Sequence, residues 1–445
     1  MTGPDGGNQG DSCINYGRKG LGEMEGLNHT PQTSTNPEIP KKRAIIGPGL
    51  LVAATGVGAG DLVAALVAGT NYGLVFVWAI LVGAVLKFVL NEGVGRWHLA
   101  TGTTILDGWK RMGKWATGYF GIYIVIWGFV YGAAVASSCA LAMTAMFPQL
   151  PLWGWAVINS LAGFALVWQG KFRAFENVMN VLVGVMFITV VGSAVIVLPD
   201  LGGVIHTAAP SLPEGSLLYA LGLIGGVGGS ITLASYGYWL QEKKWQGLGF
   251  VRAVRYDSGI AYLVTALFTV SLLILGAALL YGTDATIEGE KGLVDFAAIL
   301  GNELSTAFRW VFLIGFWAAS FTSLLGVLNG VSYLFADFVH TVRNTGIEKR
   351  HLSGTKAYKF YVFWLTFPPM LLHFFGKPVG LILVYGALGS LFMPFLAFTL
   401  LYLLNRKALV PDAKVRNHWL SNLFLLLNLL LFAVLAVNEL KGLFD

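Results

Sequence analysis

Residues 115–170 contain no charged side chain, and this long apolar segment most constrains how the chain can fold. A helix needs about 20 mostly apolar residues to cross a lipid bilayer. The segment is too long for one crossing, and Pro148 and Pro151 place a turn inside it. It therefore predicts two transmembrane helices joined by a short loop.

The composition extends this prediction to the whole chain. Of the 445 residues, 56% are hydrophobic and only 12% are charged, whereas soluble domains carry about 25% charged residues. A net charge of +6 is divided among many short loops, which indicates membrane topology and not a nucleic-acid partner. No nucleophile motif, phosphate loop or His-rich metal spacing is present, so we expect neither an enzyme nor a cofactor.

Eleven apolar segments predict an all-α integral membrane protein with the lipid bilayer as its immediate partner. Lys and Arg gather in alternate loops, such as 110–114 and 343–359. By the positive-inside rule we expect a multi-pass protein of the plasma (inner) membrane, with a cytoplasmic N-terminus and the C-terminus outside. The predicted spans are 45–69, 74–97, 117–147, 152–169, 174–198, 216–240, 256–281, 305–338, 357–376, 378–404 and 417–439.

The polarity of the chain divides it into three parts. Residues 1–43 are polar and predict a disordered cytoplasmic tail. Residues 44–405 form the predicted core of ten helices in two halves, at about 44–200 and 215–405. Residues 406–445 supply a cytoplasmic loop and the eleventh helix.

Two of the predicted spans are interrupted by glycine. The first contains Gly56–Asp61 in the order Gly-Val-Gly-Ala-Gly-Asp, and the sixth contains Gly225–Ser230 in the order Gly-Gly-Val-Gly-Gly-Ser. Glycine costs about 1 kcal/mol relative to alanine inside a helix, so both clusters favour unwinding. Breaks five helices apart predict two inverted repeats and a transporter with its site at mid-membrane. In the alternative interpretation, these glycines only allow close helix packing.

The motifs along the core resemble those of the Nramp metal-transporter family. Gly47-Pro48-Gly49, Gly58-Ala59-Gly60-Asp61 and Ala100-Thr101-Gly102 follow its first two helices without a gap. Further matches are Ala220–Gly225, Arg255–Ser258 and Met393-Pro394-Phe395. The resemblance covers about residues 45–405, and it implies the LeuT-type fold, with two inverted five-helix repeats and breaks in helices 1 and 6.

The usual ligands of that family are missing from this chain. Its first-helix motif is Asp-Pro-Gly-Asn, but Gly58 stands in the position of the metal-binding Asp and Asp61 in that of the Asn. Its sixth-helix Met-Pro-His is replaced by Gly229, Ser230 and Ile231, with Thr232 following in place of an Asn. The acidic and basic proton relay of the third helix has no counterpart in residues 115–147. The resemblance therefore implies the scaffold without its soft thioether ligand.

By resemblance, substrate lies between the two broken helices and Asp61 binds a metal ion together with the backbone carbonyls of Gly58 and Gly226. Such an all-oxygen set favours harder cations such as Mg²⁺ or Mn²⁺ over soft transition metals. The predicted function is secondary transport, in symport, of a divalent cation by alternating access. The alternatives are a carrier of a monovalent ion or small organic solute, and a non-transporting sensor. The predicted substrate-binding residues are Gly58, Asp61, Gly226, Gly229, Ser230 and Thr232.

Charged residues within the predicted spans are expensive in lipid and usually functional. Asp61 acts as ligand or proton carrier, or only caps the restarted half-helix. Glu92 and Arg96 are four residues apart, so we interpret them as a structural salt bridge, with a role in coupling as the alternative. Lys87 supplies a fixed charge in place of a coupling cation, loses its proton, or bonds to helix carbonyls.

The aromatic residues at the end of the sixth span allow a simpler interpretation. Tyr236, Tyr238 and Trp239 fall where that span is expected to reach the membrane interface. Tyrosine and tryptophan are enriched at that depth. We therefore predict that all three are interface aromatics.

Overall fold

Helices form nearly all of the chain that the structure describes. The structure, a computed structural model, describes residues 47–198, 202, 204–283, 291–344, 349–375 and 378–442, all within one compact unit, Pro40–Asp445. The predicted tail, residues 1–43, lies outside the described residues. The helices are α1 (Pro48–Gly56), α2 (Ala59–Tyr72), α3 (Val77–Thr101), α4 (Ile105–Met112), α5 (Lys114–Met146), α6 (Leu152–Trp168), α7 (Phe172–Val197), α8 (Leu217–Gly226), α9 (Thr232–Glu242), α10 (Val251–Leu280), α11 (Lys291–Glu303), α12 (Thr306–Arg343), α13 (Lys356–Met370), α14 (Pro378–Asn405) and α15 (Trp419–Gly442).

Each of the eleven predicted spans coincides with one helix or one broken pair, and the all-α class is confirmed. Within the described ranges, six helices are long and apolar enough to cross a membrane, and α1 with α2 makes a seventh candidate span bent by 64°. Two further apolar stretches, α6 (Leu152–Trp168) and the last part of α14 (Leu391–Asn405), are shorter than that standard. The predicted turn at Pro148 and Pro151 is present, because α5 ends at Met146 and α6 begins at Leu152.

Glycine allows the closest helix crossings around the first span. A Cβ at Gly69 of α2 would collide with the backbone of α10 at Leu273, and a Cβ at Gly276 of α10 would collide with α2 at Leu66. This reciprocal arrangement lets the two backbones touch, as small residues do in membrane helices. It holds α2 firmly against α10, while α1 packs against α9, α10 and α12.

Two helices and one aromatic cluster differ from the sequence predictions. The short helices α4 and α11 were not predicted. The assignment of Tyr236, Tyr238 and Trp239 to the membrane interface is wrong, because all three side chains are buried inside the protein. They bond to Asp257, Asp337 and Asn329, respectively.

Candidate functional site

The first span breaks at Val57 and Gly58. α1 ends at Gly56, and α2 starts at Ala59 with Gly58 as its N-cap residue. Asp61, in the first turn of α2, accepts a hydrogen bond at its Oδ2 from the Gly58 backbone N–H at 3.1 Å. The capping contact of Asp61 is therefore present, and its carboxylate lies at the positive end of the α2 dipole.

The sixth span breaks between Gly226 at the end of α8 and Thr232 at the start of α9. Gly228 and Gly229 have φ angles of +65° and +89°, which residues with a Cβ rarely adopt. The Gly229 N–H donates to the Gly56 carbonyl at 3.3 Å. A Cβ at Gly56 would collide with the backbone of Gly228 and Gly229. Glycine therefore brings the two breaks into direct backbone contact.

The carboxylate of Asp61 lies between the two breaks. Its Oδ1 is 2.8 Å from the position that a Cβ at Gly226 would take. Its Oδ2 is bonded to Gly58, so one side chain contacts both interrupted segments. Asp61 is partly exposed. The structure thus brings together Gly58, Asp61 and Gly226, which the sequence assigns to one site.

The hydroxyl residues of the second break differ in their surroundings. Thr232 is buried, and its Oγ1 has no hydrogen-bond partner among the described residues. That oxygen lies 3.0 Å from the position that a Cβ at Gly229 would take. Ser230 is half-buried. Its Oγ lies 3.9 Å from the position that a Cβ at Gly389 of α14 would take. Both hydroxyls lie at the start of α9, beside the turn of the break.

Lys87 of α3 reaches the same break. Its side chain is buried, and its Nζ donates a hydrogen bond to the Gly229 carbonyl. The ammonium lies 5.2 Å from the ring centroid of Phe432 on α15, in a cation–π arrangement. It also interacts electrostatically with Asp61. The site therefore contains one negative and one positive side chain. Lys87 bonds to a backbone carbonyl, but Gly229 lies in the break and not in a helix, so the predicted bond to helix carbonyls is met only in kind.

The predicted pair of Glu92 and Arg96 is present and belongs to a larger network. Glu92 accepts from Arg96 Nε at 2.5 Å and from Arg255 Nε at 3.0 Å. Arg96 also donates to the Val415 carbonyl at 3.1 Å and to Asn417 Oδ1 at 3.0 Å. The pair thus joins α3 to α10 and to the segment before α15, which supports the structural interpretation.

Two buried carboxylates were missed by the sequence analysis. Asp257 of α10 accepts bonds from the Gly47 and Gly49 backbone N–H groups at 2.9 and 2.6 Å, and from Tyr236 Oη at 2.8 Å. Asp337 of α12 accepts bonds from Tyr238 Oη at 2.6 Å and Thr104 Oγ1 at 2.5 Å. Their position inside apolar spans was the available signal. Asp257 fastens the start of α1 to α9 and α10.

The chemistry of the site is that of oxygen ligands. The described residues contain no group of three or more His, Cys, Asp or Glu side chains placed to hold a metal ion. What converges at the breaks is one carboxylate, hydroxyl groups and backbone carbonyls. The Gly58 carbonyl accepts from the Asp61 and Leu62 N–H groups, so a cation there would use the second lone pair of that oxygen. Such a set can bind a small cation or the polar groups of a solute, with Lys87 opposing positive charge.

These features define a helical membrane protein with a polar site between two broken spans, the arrangement found in secondary transporters. The chain belongs to the Nramp (natural resistance-associated macrophage protein-like) family, whose model matches residues 49–441. An uncharacterized protein of Pasteurella multocida is 25% identical over 301 residues, 65% of this chain and 69% of that protein. The divalent metal cation transporter MntH of Latilactobacillus sakei is 24% identical over 331 residues, 69% and 71% of the two chains.

Solved structures of low identity share the fold. A mutant form of the manganese transporter of Eremococcus coleocola superposes with a TM-score of 0.73 at 16% identity, covering 92% of this chain and 90% of that one. Mhp1, a nucleobase-cation-symport-1 transporter, gives a TM-score of 0.58 at 12% identity, covering 89% and 92%. The LeuT-type fold predicted from the sequence is thereby confirmed.

Proposed function

We propose that this chain is a secondary transporter that carries a hard divalent cation, such as Mg²⁺ or Mn²⁺, by alternating access. The observation that carries the proposal is the carboxylate of Asp61, which contacts both broken spans at once. The cation would bind to Asp61 and to the carbonyls of Gly58 and Gly226. Ser230 and Thr232 would contribute hydroxyl oxygens, and Thr232 Oγ1 bonds to no other group in the part of the chain that the structure describes.

The ligand chemistry favours a hard cation over a soft one as the transported ion. Gly229 occupies the position where the family has a thioether, and its side chain offers no ligand atom. Oxygen donors suit Mg²⁺, Ca²⁺ and Mn²⁺, whereas sulfur favours softer metals. Mg²⁺ usually keeps several of its waters, so one carboxylate with a few carbonyls is a sufficient protein contribution. Relatives named as divalent metal cation transporters agree with this class of cargo.

Alternating access would use the hinge between α1 and α2. The hinge residues Val57 and Gly58 lie outside both helices, and the two segments differ in direction by 64°. α1 is fastened at its start by Asp257, whereas α2 packs along α10 through Gly69 and Gly276. Release of α1 alone would open the site toward the side of the membrane that holds Gly47, which the positive-inside rule assigns to the cytoplasm.

A second candidate function is transport of a monovalent ion or a small organic solute. The observation that favours it is Lys87, whose buried ammonium already bonds to the Gly229 carbonyl and opposes a dication near Asp61. The same fold holds organic molecules in other proteins, such as L-phenylalanine in MhsT and a hydantoin in Mhp1. A site with one negative and one positive group would suit a solute that carries little net charge.

The test is uptake of Mg²⁺, Mn²⁺ and Ca²⁺ into liposomes that contain the purified protein. We expect saturable uptake that collapses in Asp61→Asn and persists in Asp295→Asn, which changes an exposed carboxylate of α11 in the same way. No uptake of any of the three ions by folded protein would overturn the divalent-cation proposal and direct the search to organic solutes. Cation binding without uptake would support the alternative that the protein is a non-transporting sensor.

A further inference from the structure

Arg416, in the loop between α14 and α15, is a half-buried cation that has no ion pair with any described residue. Its Nε atom is buried and donates to no acceptor in the described part of the chain. A guanidinium is permanently charged, and burying part of it is costly unless an anion or hydrogen-bond acceptors compensate the charge. The surroundings of Arg416 therefore suit an anion from outside the chain.

The backbone on both sides of Arg416 is held in place. Arg96 of α3 donates to the Val415 carbonyl at 3.1 Å and to Asn417 Oδ1 at 3.0 Å. The Asn417 N–H bonds to the Leu404 carbonyl, in the last turn of α14, at 3.4 Å. Arg416 thus lies between two anchored residues, and α3 and α14 determine its position.

The carboxylates of the neighbouring segments are bonded to other groups. Glu92 of α3 accepts from two other arginines. Asp412, in the same loop as Arg416, accepts from the Lys414 backbone N–H at 2.8 Å. Asp107 caps the start of α4. None of the three forms an ion pair with Arg416.

More positive charge lies at this end of α14. Arg406 and Lys407 follow the helix directly, and both are exposed. α4 packs against the same end, because a Cβ at Gly108 would lie only 2.7 Å from Leu403 Cδ1. Arg111, one turn further along α4, is exposed as well. We call these four cations the basic patch: Arg111, Arg406, Lys407 and Arg416.

An exposed apolar surface begins next to the basic patch. α15 starts three residues after Arg416, and its Trp419, Leu420 and Leu423 are 64%, 43% and 43% exposed. On a membrane-spanning helix such side chains contact the acyl chains of lipids, and tryptophan is enriched at the depth of the headgroups. The basic patch therefore lies where headgroups meet hydrocarbon.

We propose that the basic patch binds the headgroup of an anionic phospholipid, with the phosphate on Arg416 and the acyl chains along the apolar surface of α15. Two N–H groups of a guanidinium can donate to two oxygens of one phosphate. Arg406 and Lys407 would favour a lipid with net negative charge over a zwitterionic one. The bound lipid would stabilise the loop between α14 and α15. This inference does not depend on what the protein transports.

The test is thermal unfolding of the purified, delipidated protein in detergent, with phosphatidylglycerol, phosphatidylcholine or inorganic phosphate added. We expect phosphatidylglycerol to raise the unfolding midpoint by about 3 °C or more over phosphatidylcholine. Inorganic phosphate should leave the midpoint unchanged. Arg416→Gln should lose most of the difference between the two lipids, and Arg416→Lys, which keeps the charge without the planar group, should retain part of it.

Two further variants complete the comparison. Arg173→Gln removes an exposed cation at the start of α7 and should keep the full difference between the lipids. The double variant Arg406→Gln with Lys407→Gln changes only exposed side chains and should reduce that difference, so it provides a second test if Arg416→Gln does not fold.

Three results would overturn the proposal. They are a wild-type midpoint that responds equally to both lipids, a full difference in both Arg416→Gln and the double variant, and a rise in inorganic phosphate that matches the rise in phosphatidylglycerol. The last result would assign the basic patch to a soluble anion. Because no uptake is measured, the outcome is independent of whether the protein carries a divalent cation.

Discussion

Gly226 illustrates how a residue without a side chain shapes the candidate site. Because Gly226 has no Cβ, Asp61 Oδ1 can lie beside its α-carbon. A Cβ added there would be only 2.8 Å from that oxygen. Neither the carboxylate nor the break can take up the methyl group of alanine without moving. The position of Asp61 is therefore determined jointly by its bond to Gly58 and by the absence of a side chain on α8.

We predict that Gly226→Ala raises the KM for the cation about tenfold or more, because a displaced carboxylate loses its contact with the cargo. The measurement is the concentration dependence of uptake into liposomes. Gly222→Ala is the matched control on the same helix, since a Cβ there meets nothing within 4 Å. Equal KM values for the two variants would contradict the proposal that Asp61 contacts the bound cation.

Lys87 provides a second prediction about a single residue. Its ammonium opposes a dication at Asp61, and two unit charges about 4 Å apart interact by about 4 kcal/mol at an effective dielectric constant of 20. Lys87→Met, which keeps much of the length of the side chain, should lower the KM for Mg²⁺ or Mn²⁺ by at least about threefold. If the variant instead abolishes all uptake and leaves the protein folded, Lys87 is part of a solute site, and the second candidate function is preferred.

At the level of helices, the sequence was most informative about lengths and breaks. Apolar length, together with the turn at Pro148 and Pro151, predicted where the long helices lie, and clustered glycine located both interruptions, because these are local properties of the chain. Two contacts could not be predicted, because they depend on which helices become neighbours. They are the hydrogen bond between Gly229 and Gly56 and the bond from Gly47, at the start of α1, to Asp257. The same reason explains the error at Tyr236, whose hydroxyl bonds to a carboxylate of another helix.

Asp257 leads to a prediction about α1 as a unit. Its carboxylate accepts bonds from Gly47, Gly49 and Tyr236, and a bond to a charged group is worth about 1.5–3 kcal/mol. Asp257→Asn should lower the free energy of unfolding by about 2 kcal/mol, measured by thermal or denaturant unfolding in detergent. Tyr236→Phe removes one of the three bonds and should cost about half as much. Unchanged stability of Asp257→Asn would show that α1 is held by packing alone.

At the level of the whole molecule, the distribution of positive charge predicts how the chain is oriented in the membrane. The loop between α14 and α15 contains Arg406, Lys407, Lys414 and Arg416, whereas residues 202–216, before α8, contain no Lys or Arg. By the positive-inside rule we expect the first loop to face the cytoplasm and the second to face outside. The predicted crossings between the two loops are the broken pair of α8 and α9, followed by α10, α12, α13 and α14, which is an odd number.

This orientation can be tested with single cysteines at exposed positions of the two loops. In a background with Cys13 and Cys139 changed to serine, a membrane-impermeant thiol reagent should label Ser211→Cys in intact cells. Lys407→Cys should be labelled only after the cells are permeabilised, since an intact bilayer blocks the reagent. The reverse pattern would invert the predicted topology, and it would place the opening beside Gly47 and Asp257 on the outer face. Labelling of both positions in intact cells would mean that an odd number of crossings does not separate the two loops, so one of the assigned spans would not cross the membrane.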